Sequence, residues 1–152
     1  MDCRTALIKT NGDIDKALET LKEQSLIQVA KRAKRVAKEG LIEAYIHPGG
    51  RIGTILEVNC ETDFVARTAE FKELAHNLAM QVAALSPQCV CKEELTEGSE
   101  AEPNTVCLLL QPYIKDITKT VQDIINETIA KVGENIKVSR FTRYELVEEI
   151  KS

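Results

Sequence analysis

In the stretch LIEAYIHPGGRIGTILEVNC, residues 41–60, apolar residues recur at every second position rather than at a helical spacing. Alternation of this kind is typical of a strand with one buried face. The proline and two glycines of HPGG, residues 47–50, supply the fixed and the positive φ angles that a chain reversal needs. The stretch therefore predicts an antiparallel hairpin, with strands over residues 41–47 and 52–60.

An amphipathic helix is predicted after the hairpin. Thr68 is a suitable N-cap, and apolar residues recur at spacings of three and four across residues 71–85. Ser86-Pro87 ends the pattern, since proline cannot continue a helix. The stretch up to Pro103 is rich in Glu, Ser and Thr, which predicts a polar loop or a short irregular excursion.

A second amphipathic helix and a final strand complete the predicted fold. Thr118 is the expected N-cap of this helix, and Gly133 its stop. Residues 136–146 then form a strand. The predicted class is α+β: a helical N-terminal segment followed by a three-stranded antiparallel sheet, covered on one side by two helices.

The N-terminal forty residues are predicted to be helical. Residues 2–9 have weak helical character, Asn11-Gly12 interrupts it, and Asp13 caps the next run, which together predict a helical hairpin. A connector helix over residues 26–40 would end at Gly40 as its C-cap. One face of this connector is basic and carries Lys31, Arg32, Lys34, Arg35 and Lys38. We interpret that face as solvated surface, with contact to RNA or an acidic partner as the alternative.

Composition limits the classes of function. The 152 residues suit one compact domain or a domain with a small appendage, and 43% of them are apolar, as in ordinary globular proteins. The net charge of -4 argues against a protein whose main work is coating nucleic acid. A protein partner fits this composition better.

The reactive side chains form no recognisable active site in the sequence. Five cysteines, an odd number, are present without a CxxC pair: Cys3, Cys60, Cys89, Cys91 and Cys107. Cys89 and Cys91 fall short of the four ligands of a zinc site, and neither His47 nor His76 is at ligand spacing from them. We expect reduced thiols, with pairing between subunits as the alternative. The chain should act by contact, without a metal or cofactor; a thiol enzyme using Cys89 and Cys91 ranks last.

The segment CETDFV, residues 60–65, places a large aromatic ring beside a carboxylate where the second predicted strand ends. A ring held there could enter a partner, whereas an isolated phenylalanine at a strand end would more commonly pack in the core. Asp63 has two open interpretations: it caps local backbone N–H groups and fixes the loop, or it contacts the partner directly. Either role would hold Phe64 outward.

Several motifs, in order along the chain, resemble the elongation factor Ts family. They are MDCRTAL at residues 1–7 with NGD at 11–13, YIH and GGR within 45–51, NCETDFV at 59–65, QPYIKD at 111–116 and KVGENI at 131–136. The resemblance implies a partial ubiquitin-associated-like module over residues 1–25, a connector helix over 26–40 and a core dimerisation-type domain over 41–152. It also implies a guanine-nucleotide exchange factor for elongation factor Tu rather than an enzyme.

The family resemblance implies a role for the TDFV tetrapeptide, here Thr62, Asp63, Phe64 and Val65. This segment would enter the nucleotide domain of elongation factor Tu, with Phe64 wedged between helices of the partner. The wedge would dislodge the magnesium ion that neutralises the bound diphosphate, so that GDP leaves. The factor would bind the GDP-bound and the nucleotide-free partner, and incoming GTP would release it.

The resemblance also implies features of assembly and location. The chain starts at the second helix of the family's three-helix module, so we expect a truncated short form whose partner binding improves when a first helix is appended. Short forms are thought to use two subunits, which makes a homodimer plausible. Bacterial cytoplasm or plastid stroma is the expected location, with no contact to membranes or nucleic acid. The alternative function is a ribosome-associated or RNA-binding module without exchange activity.

Overall fold

A computed structural model shows an antiparallel sheet with helices on one face. The structure describes residues 4, 8–96, 98 and 100–147. In chain order the helices are α1, Ile14–Arg32; α2, Asp63–Ala66; α3, Ala69–Leu85; α4, Pro103–Val106; and α5, Val121–Val132. The strands are β1, Glu39–Ile46; β2, Ile52–Cys60; β3, Pro112–Tyr113; β4, Asp116–Thr120; and β5, Ile136–Glu145. The predicted α+β class is confirmed.

The hairpin predicted from residues 41–60 is present, and its second strand, β2, is the central strand of the sheet. Strands β1 and β2 pair antiparallel, β2 pairs antiparallel with β5, and the order is β1-β2-β5. The predicted final strand over residues 136–146 is therefore confirmed, with its end at Glu145. Strands β3 and β4 form a separate two-stranded sheet that the sequence pattern did not predict.

Helix α1 differs from the prediction at its C-terminal end. Asp13 is its N-cap, as predicted, and its side chain accepts from the Lys16 N–H. The helix then runs without a break to Arg32, so no separate connector helix reaches Gly40, and residues 33–38 are turns and irregular backbone. Tertiary contacts override helix propensity here, because the Asn135 side chain bonds to the Arg35 carbonyl. Most of the weak helix predicted over residues 2–9 lies outside the described residues.

Gly40 belongs to β1 and not to a helix end. Its φ is +144°, and a Cβ at this position would lie 2.1 Å from the Val58 carbonyl oxygen and 2.7 Å from the Asn59 Cα. Only glycine fits such a close approach of two backbones. The first pairs of the β1–β2 ladder, including Gly40 with Asn59, therefore depend on this residue.

The core lies between the inner face of the sheet and helices α3 and α5. On β2, Thr54, Leu56, Val58 and Cys60 lie at alternate positions and are buried. Apolar side chains from the strands and from both helices meet in this core, among them Leu56, Phe71, Leu78, Val82, Val121, Ile125, Ile129 and Val138. Inside this layer, the Thr54 hydroxyl donates to the Ala79 carbonyl at 3.0 Å, which satisfies a buried polar group.

The caps of α3 are as predicted, but that of α5 is not. Thr68 caps α3 by accepting from the Phe71 N–H. For α5 the prediction of Thr118 as N-cap is wrong, since Thr118 lies in β4 and Thr120 is the cap. Thr120 and Asp123 form a reciprocal capping box, whereas Thr118 has Val121 three residues later and lacks that partner. Gly133 ends α5 with a φ of +77°, as expected.

The chain between α3 and α4 is mostly irregular, in keeping with the predicted excursion. A short 3-10 helix spans Lys92–Glu94. One end of the segment is nevertheless packed, because Cys89 pairs with Cys107 in an isolated parallel bridge and both thiols are buried. This contact joins the beginning of the excursion to the end of α4.

Candidate partner-binding site

The Thr62–Val65 segment forms a turn of helix directly after β2. Thr62 has an extended backbone and is the N-cap of α2, its hydroxyl accepting from the Val65 N–H at 3.4 Å. Phe64 therefore lies within the first turn of a short helix rather than in a loop. The strand end and this cap set the direction of the segment.

Phe64 is exposed while the two residues after it are buried. Phe64 is 79% exposed, whereas Val65 and Ala66 are each 8% exposed and contact the main core. The alternative of core packing for Phe64 is thus excluded by the structure. The buried Val65 side chain anchors the turn to the core, so the backbone that carries the exposed Phe64 ring is held in place.

Asp63 does not cap this helix. It is the first helical residue, and its carboxylate forms an ion pair with Arg67 at 3.1 Å, one turn further along. Both side chains are more than half exposed. An exposed pair of this kind contributes little to stability. The capping function considered for Asp63 belongs to Thr62, and the contact of Asp63 with a partner stays a prediction.

A second segment of the chain, residues 133–135, holds the start of the turn. The Glu134 carboxylate accepts from the Thr62 N–H at 2.9 Å and from the Thr62 hydroxyl at 2.7 Å. Beside it the Glu61 carboxylate accepts from the Asn135 N–H at 3.2 Å and lies 3.7 Å from the Arg35 guanidinium. Sequence reasoning assigned no role to these partners. The register of β2 and β5 was the missing signal, since it brings residues 60 and 136 together.

Cys60, the last residue of β2, forms a further hydrogen bond at the start of the turn. Its thiol is buried and donates to the Thr62 carbonyl at 3.1 Å. Burial is the main cause that raises the pKa of the Cys60 thiol to about 11, followed by the negative charge of Glu134. The neutral thiol is therefore the form present near neutral pH, and it serves as a hydrogen-bond donor within the turn.

The outward side of the sheet carries a second exposed surface. The side chains opposite α3 include Ile42, Ala44, Ile46, Ile55 and Tyr144, which we call the outer apolar face. Its three isoleucines and Tyr144 are each at least half exposed. Glu57 and Arg140 form an ion pair at 2.9 Å beside them. Hydrogen bonds from Asn59 and then Arg140 hold the pKa of Glu57 below its usual range.

The basic residues 31–38 do not form one helical face. Arg32 donates to the Ile129 carbonyl at 3.4 Å, and Arg35 lies beside Glu61. Lys34 and Lys38 lie beyond the end of α1 and are exposed. Two of the five cations thus contact other parts of the chain, and one of them, Arg35, has a carboxylate beside it.

Among the cysteines and histidines that the structure describes, Cys60 lies at the Phe64 turn, and the others make their contacts elsewhere. The thiols of Cys89 and Cys107 are 3.4 Å apart, so Cys89 contacts Cys107. Burial raises the pKa of Cys89 to about 12, with the Cys107 hydrogen bond as the next cause. His47 contacts the Tyr45 hydroxyl at 3.0 Å, and His76 lies 4.0 Å from Glu43. Over the described ranges, no group of three or more ligating side chains could hold a metal ion.

Within the described part of the chain, no helix combines the length and the apolar character that a membrane crossing requires.

The fold and the site thus define an α+β protein that holds Phe64 exposed on a capped turn anchored to the core. The family model described as Elongation factor TS matches residues 8–102. The protein named Elongation factor Ts from Moorella thermoacetica is 49% identical to this chain, and the match covers 99% of this chain and 89% of that protein. The one from Thermotoga neapolitana is also 49% identical, and the match covers 98% of this chain and 90% of that protein. That of Syntrophomonas wolfei is 46% identical, over 99% of this chain and 84% of its own length.

The chain belongs to the elongation factor Ts family, which the motifs had predicted. Its role is that of a translation elongation factor.

Proposed function

We propose that this chain is a guanine-nucleotide exchange factor that binds elongation factor Tu through the Thr62–Val65 segment. The observation that carries the proposal is Phe64, a large apolar ring exposed on a turn whose neighbouring residues are buried or hydrogen-bonded. A rigid aromatic anchor loses little side-chain entropy on binding and is the typical hot spot of a protein interface. Membership of the family supports the choice of partner.

The exchange step requires no bond chemistry from this chain. Phe64 would insert between helices of the partner's nucleotide domain and displace the backbone that holds the partner's magnesium ion. Magnesium demands near-ideal octahedral geometry, so a small displacement weakens the binding of the ion and with it that of the diphosphate. Linkage requires that nucleotide and factor weaken each other's binding by the same ratio. GDP release is therefore coupled to tight binding of the factor, and GTP binding to its departure.

The four residues of the segment have separate tasks in this proposal. Phe64 makes the contact, Thr62 caps the helix that carries it, and Val65 anchors that helix to the core. Asp63 is exposed beside Phe64, and its pairing with Arg67 is free to exchange for a partner's cation. The chain contributes no cofactor and no metal of its own, and it acts by contact rather than as an enzyme.

Release of labelled GDP from elongation factor Tu tests the proposed function. Amounts of the chain well below those of the partner should accelerate release, because a catalyst of exchange turns over. Phe64→Ala should abolish most of that acceleration. Ile117→Ala is the matched control, since Ile117 is 80% exposed and lies on β4, outside the segment. The proposal fails if the intact chain leaves the release rate unchanged, or if both variants lose activity equally.

We further propose that two copies of the chain associate through the outer apolar face. A sheet needs cover on both faces when both are apolar, and two such sheets pack face to face at about 10 Å. Ile55 lies on the central strand of this face. Ile55→Lys should shift the chain from dimer to monomer in light scattering, while Ile117→Lys should leave the mass unchanged. A monomeric mass for the unaltered chain at micromolar concentration would contradict the dimer.

The proposed location is the bacterial cytoplasm or the plastid stroma. The relatives named above all come from bacteria, which supports the bacterial alternative. The division into units over residues 1–25, 26–40 and 41–152 likewise stays a prediction.

A further inference from the structure

We infer that Glu134 is a positioning residue for the exposed ring of Phe64, acting through Thr62. The inference rests on the proposed function of Phe64. Glu134 follows Gly133, the C-cap of α5, and precedes the start of β5 at Ile136. It is thus far from Phe64 in sequence and beside its turn in space.

Both donors of Thr62 are held by Glu134. The backbone N–H of Thr62 donates to one carboxylate oxygen at 2.9 Å, and its hydroxyl donates to the other at 2.7 Å. Hydrogen bonds to an ionised acceptor are stronger than neutral ones, and two parallel bonds fix orientation as well as distance. The carboxylate therefore sets both the backbone and the side chain of the residue that begins α2.

The hydroxyl of Thr62 has two tasks that depend on each other. It has one hydrogen and two lone pairs. Donation of the hydrogen to Glu134 leaves a lone pair for the Val65 N–H, which lies 3.4 Å away. Without Glu134 the hydroxyl is free to rotate, and the cap of α2 loses its fixed acceptor. Phe64 lies inside the turn that this cap closes.

Beyond the last backbone pair of β2 and β5, side-chain hydrogen bonds join the two chain segments, and the Thr62–Glu134 contact is one of them. The last backbone pair of β2 and β5 is Cys60 with Ile136. The next residues in each direction, Glu61 and Asn135, are joined by the Glu61 carboxylate and the Asn135 N–H at 3.2 Å. Thr62 and Glu134 form the step after that. The Thr62–Glu134 contact is the last of these, and Thr62 lies two residues before Phe64 in the sequence.

The expected effect is on exchange more than on stability. The Thr62–Glu134 bonds are exposed, so their removal leaves the buried core intact. Precise placement of a contact residue depends on the groups that support it, and a loosened support weakens function without unfolding the scaffold.

Glu134→Ala should slow factor-dependent GDP release about fivefold or more, and Thr62→Val should do so as well. Glu127→Gln is the matched control, because Glu127 is a half-exposed carboxylate of α5 that pairs with Lys119 away from the turn. The double variant Thr62→Val with Glu134→Ala should lose little beyond either single change, since both act on one cap. Thr62→Ser keeps both donors and should therefore lose less activity than Thr62→Val.

Amide hydrogen exchange of Val65 in the isolated chain gives an independent reading, because it needs no partner. Glu134→Ala should accelerate exchange of this amide at least fivefold, and Glu127→Gln should not. An unchanged exchange rate of the Val65 amide in Glu134→Ala would overturn the inference. So would a rate of GDP release with Glu134→Ala equal to that with Glu127→Gln, or a loss in the double variant equal to the product of the two single losses. If the unaltered chain does not accelerate GDP release from elongation factor Tu, the proposed function fails. The exchange rate of the Val65 amide alone then decides whether Glu134 positions the turn.

Discussion

Replacement of Gly40 by alanine should destabilise the sheet next to the candidate site. The added Cβ would lie 2.1 Å from the Val58 carbonyl oxygen, a distance that no ordinary contact allows, and the obstructing atoms belong to the backbone. Glycine also holds a φ of +144° at this position, which an alanine rarely adopts. The first pairs of β1 with β2 must therefore open.

The magnitude follows from the two contributions. Backbone strain at an unfavourable φ costs roughly 1–3 kcal/mol, and forcing an extra carbon into a filled space costs roughly a further 1–3 kcal/mol. The sum, about 2–6 kcal/mol, is a large part of the roughly 5–15 kcal/mol that is typical of total stability. Because Gly40 pairs with Asn59 and Glu39 with Cys60, the disturbance also reaches the strand end that precedes Thr62.

Urea unfolding followed by circular dichroism measures this cost, and the absence of tryptophan makes fluorescence less useful. Gly49→Ala is the control, since Gly49 has a φ of +98° but no neighbouring atom lies within 4 Å of the place that a Cβ would occupy. Gly49→Ala should therefore show the cost of backbone strain without the cost of a steric clash. A loss for Gly40→Ala no greater than that for Gly49→Ala would refute the close-approach argument.

Three further changes test other parts of the structure. Thr120→Ala should lower the free energy of unfolding by about 1 kcal/mol through loss of the capping box, whereas Thr118→Ala should change it by less than about half that amount in the same urea titration. Phe71→Ala should cost roughly 3–5 kcal/mol because Phe71 is fully buried, and a loss below about 1 kcal/mol would contradict its place in the core. Cys60 should make stability fall as pH rises from about 9 to 11, because the unfolded chain loses its thiol proton at the ordinary pKa of 9.0 while the folded chain retains it to about 11. Cys60→Ala should reduce that slope, and identical slopes in pH-dependent unfolding would count against the buried thiol.

Local patterns predicted the parts of this fold that local chemistry determines. Two-residue alternation located both strands of the hairpin, and Thr68 and Gly133 marked the ends of helices, because caps and periodicity involve only neighbours in sequence. The prediction of Thr118 as N-cap was wrong although the sequence carries a stronger signal for Thr120, since Asp123 three residues beyond Thr120 completes a capping box.

Other features depend on contacts between distant segments. A glycine after a basic helical pattern normally marks a helix end. Gly40 instead allows the backbones of β1 and β2 to approach closely, which becomes evident only when the two strands are paired. The same is true of the turn that carries Phe64. Its motif was evident in the sequence, but Glu134 could be connected to Thr62 only through the register of β2 and β5.

The central claim is that Phe64 supplies the contact that loosens the partner's nucleotide. The most direct measurement is the maximal rate of GDP release from elongation factor Tu at saturating concentrations of the chain, with and without Phe64→Ala. Loss of a hot-spot side chain of about 2 kcal/mol corresponds to about thirtyfold. We predict a maximal rate lower by at least about tenfold for the variant, with its fold unchanged. An equal maximal rate, reached merely at a higher concentration of the variant, would contradict the claim, because Phe64 would then contribute to binding and not to exchange.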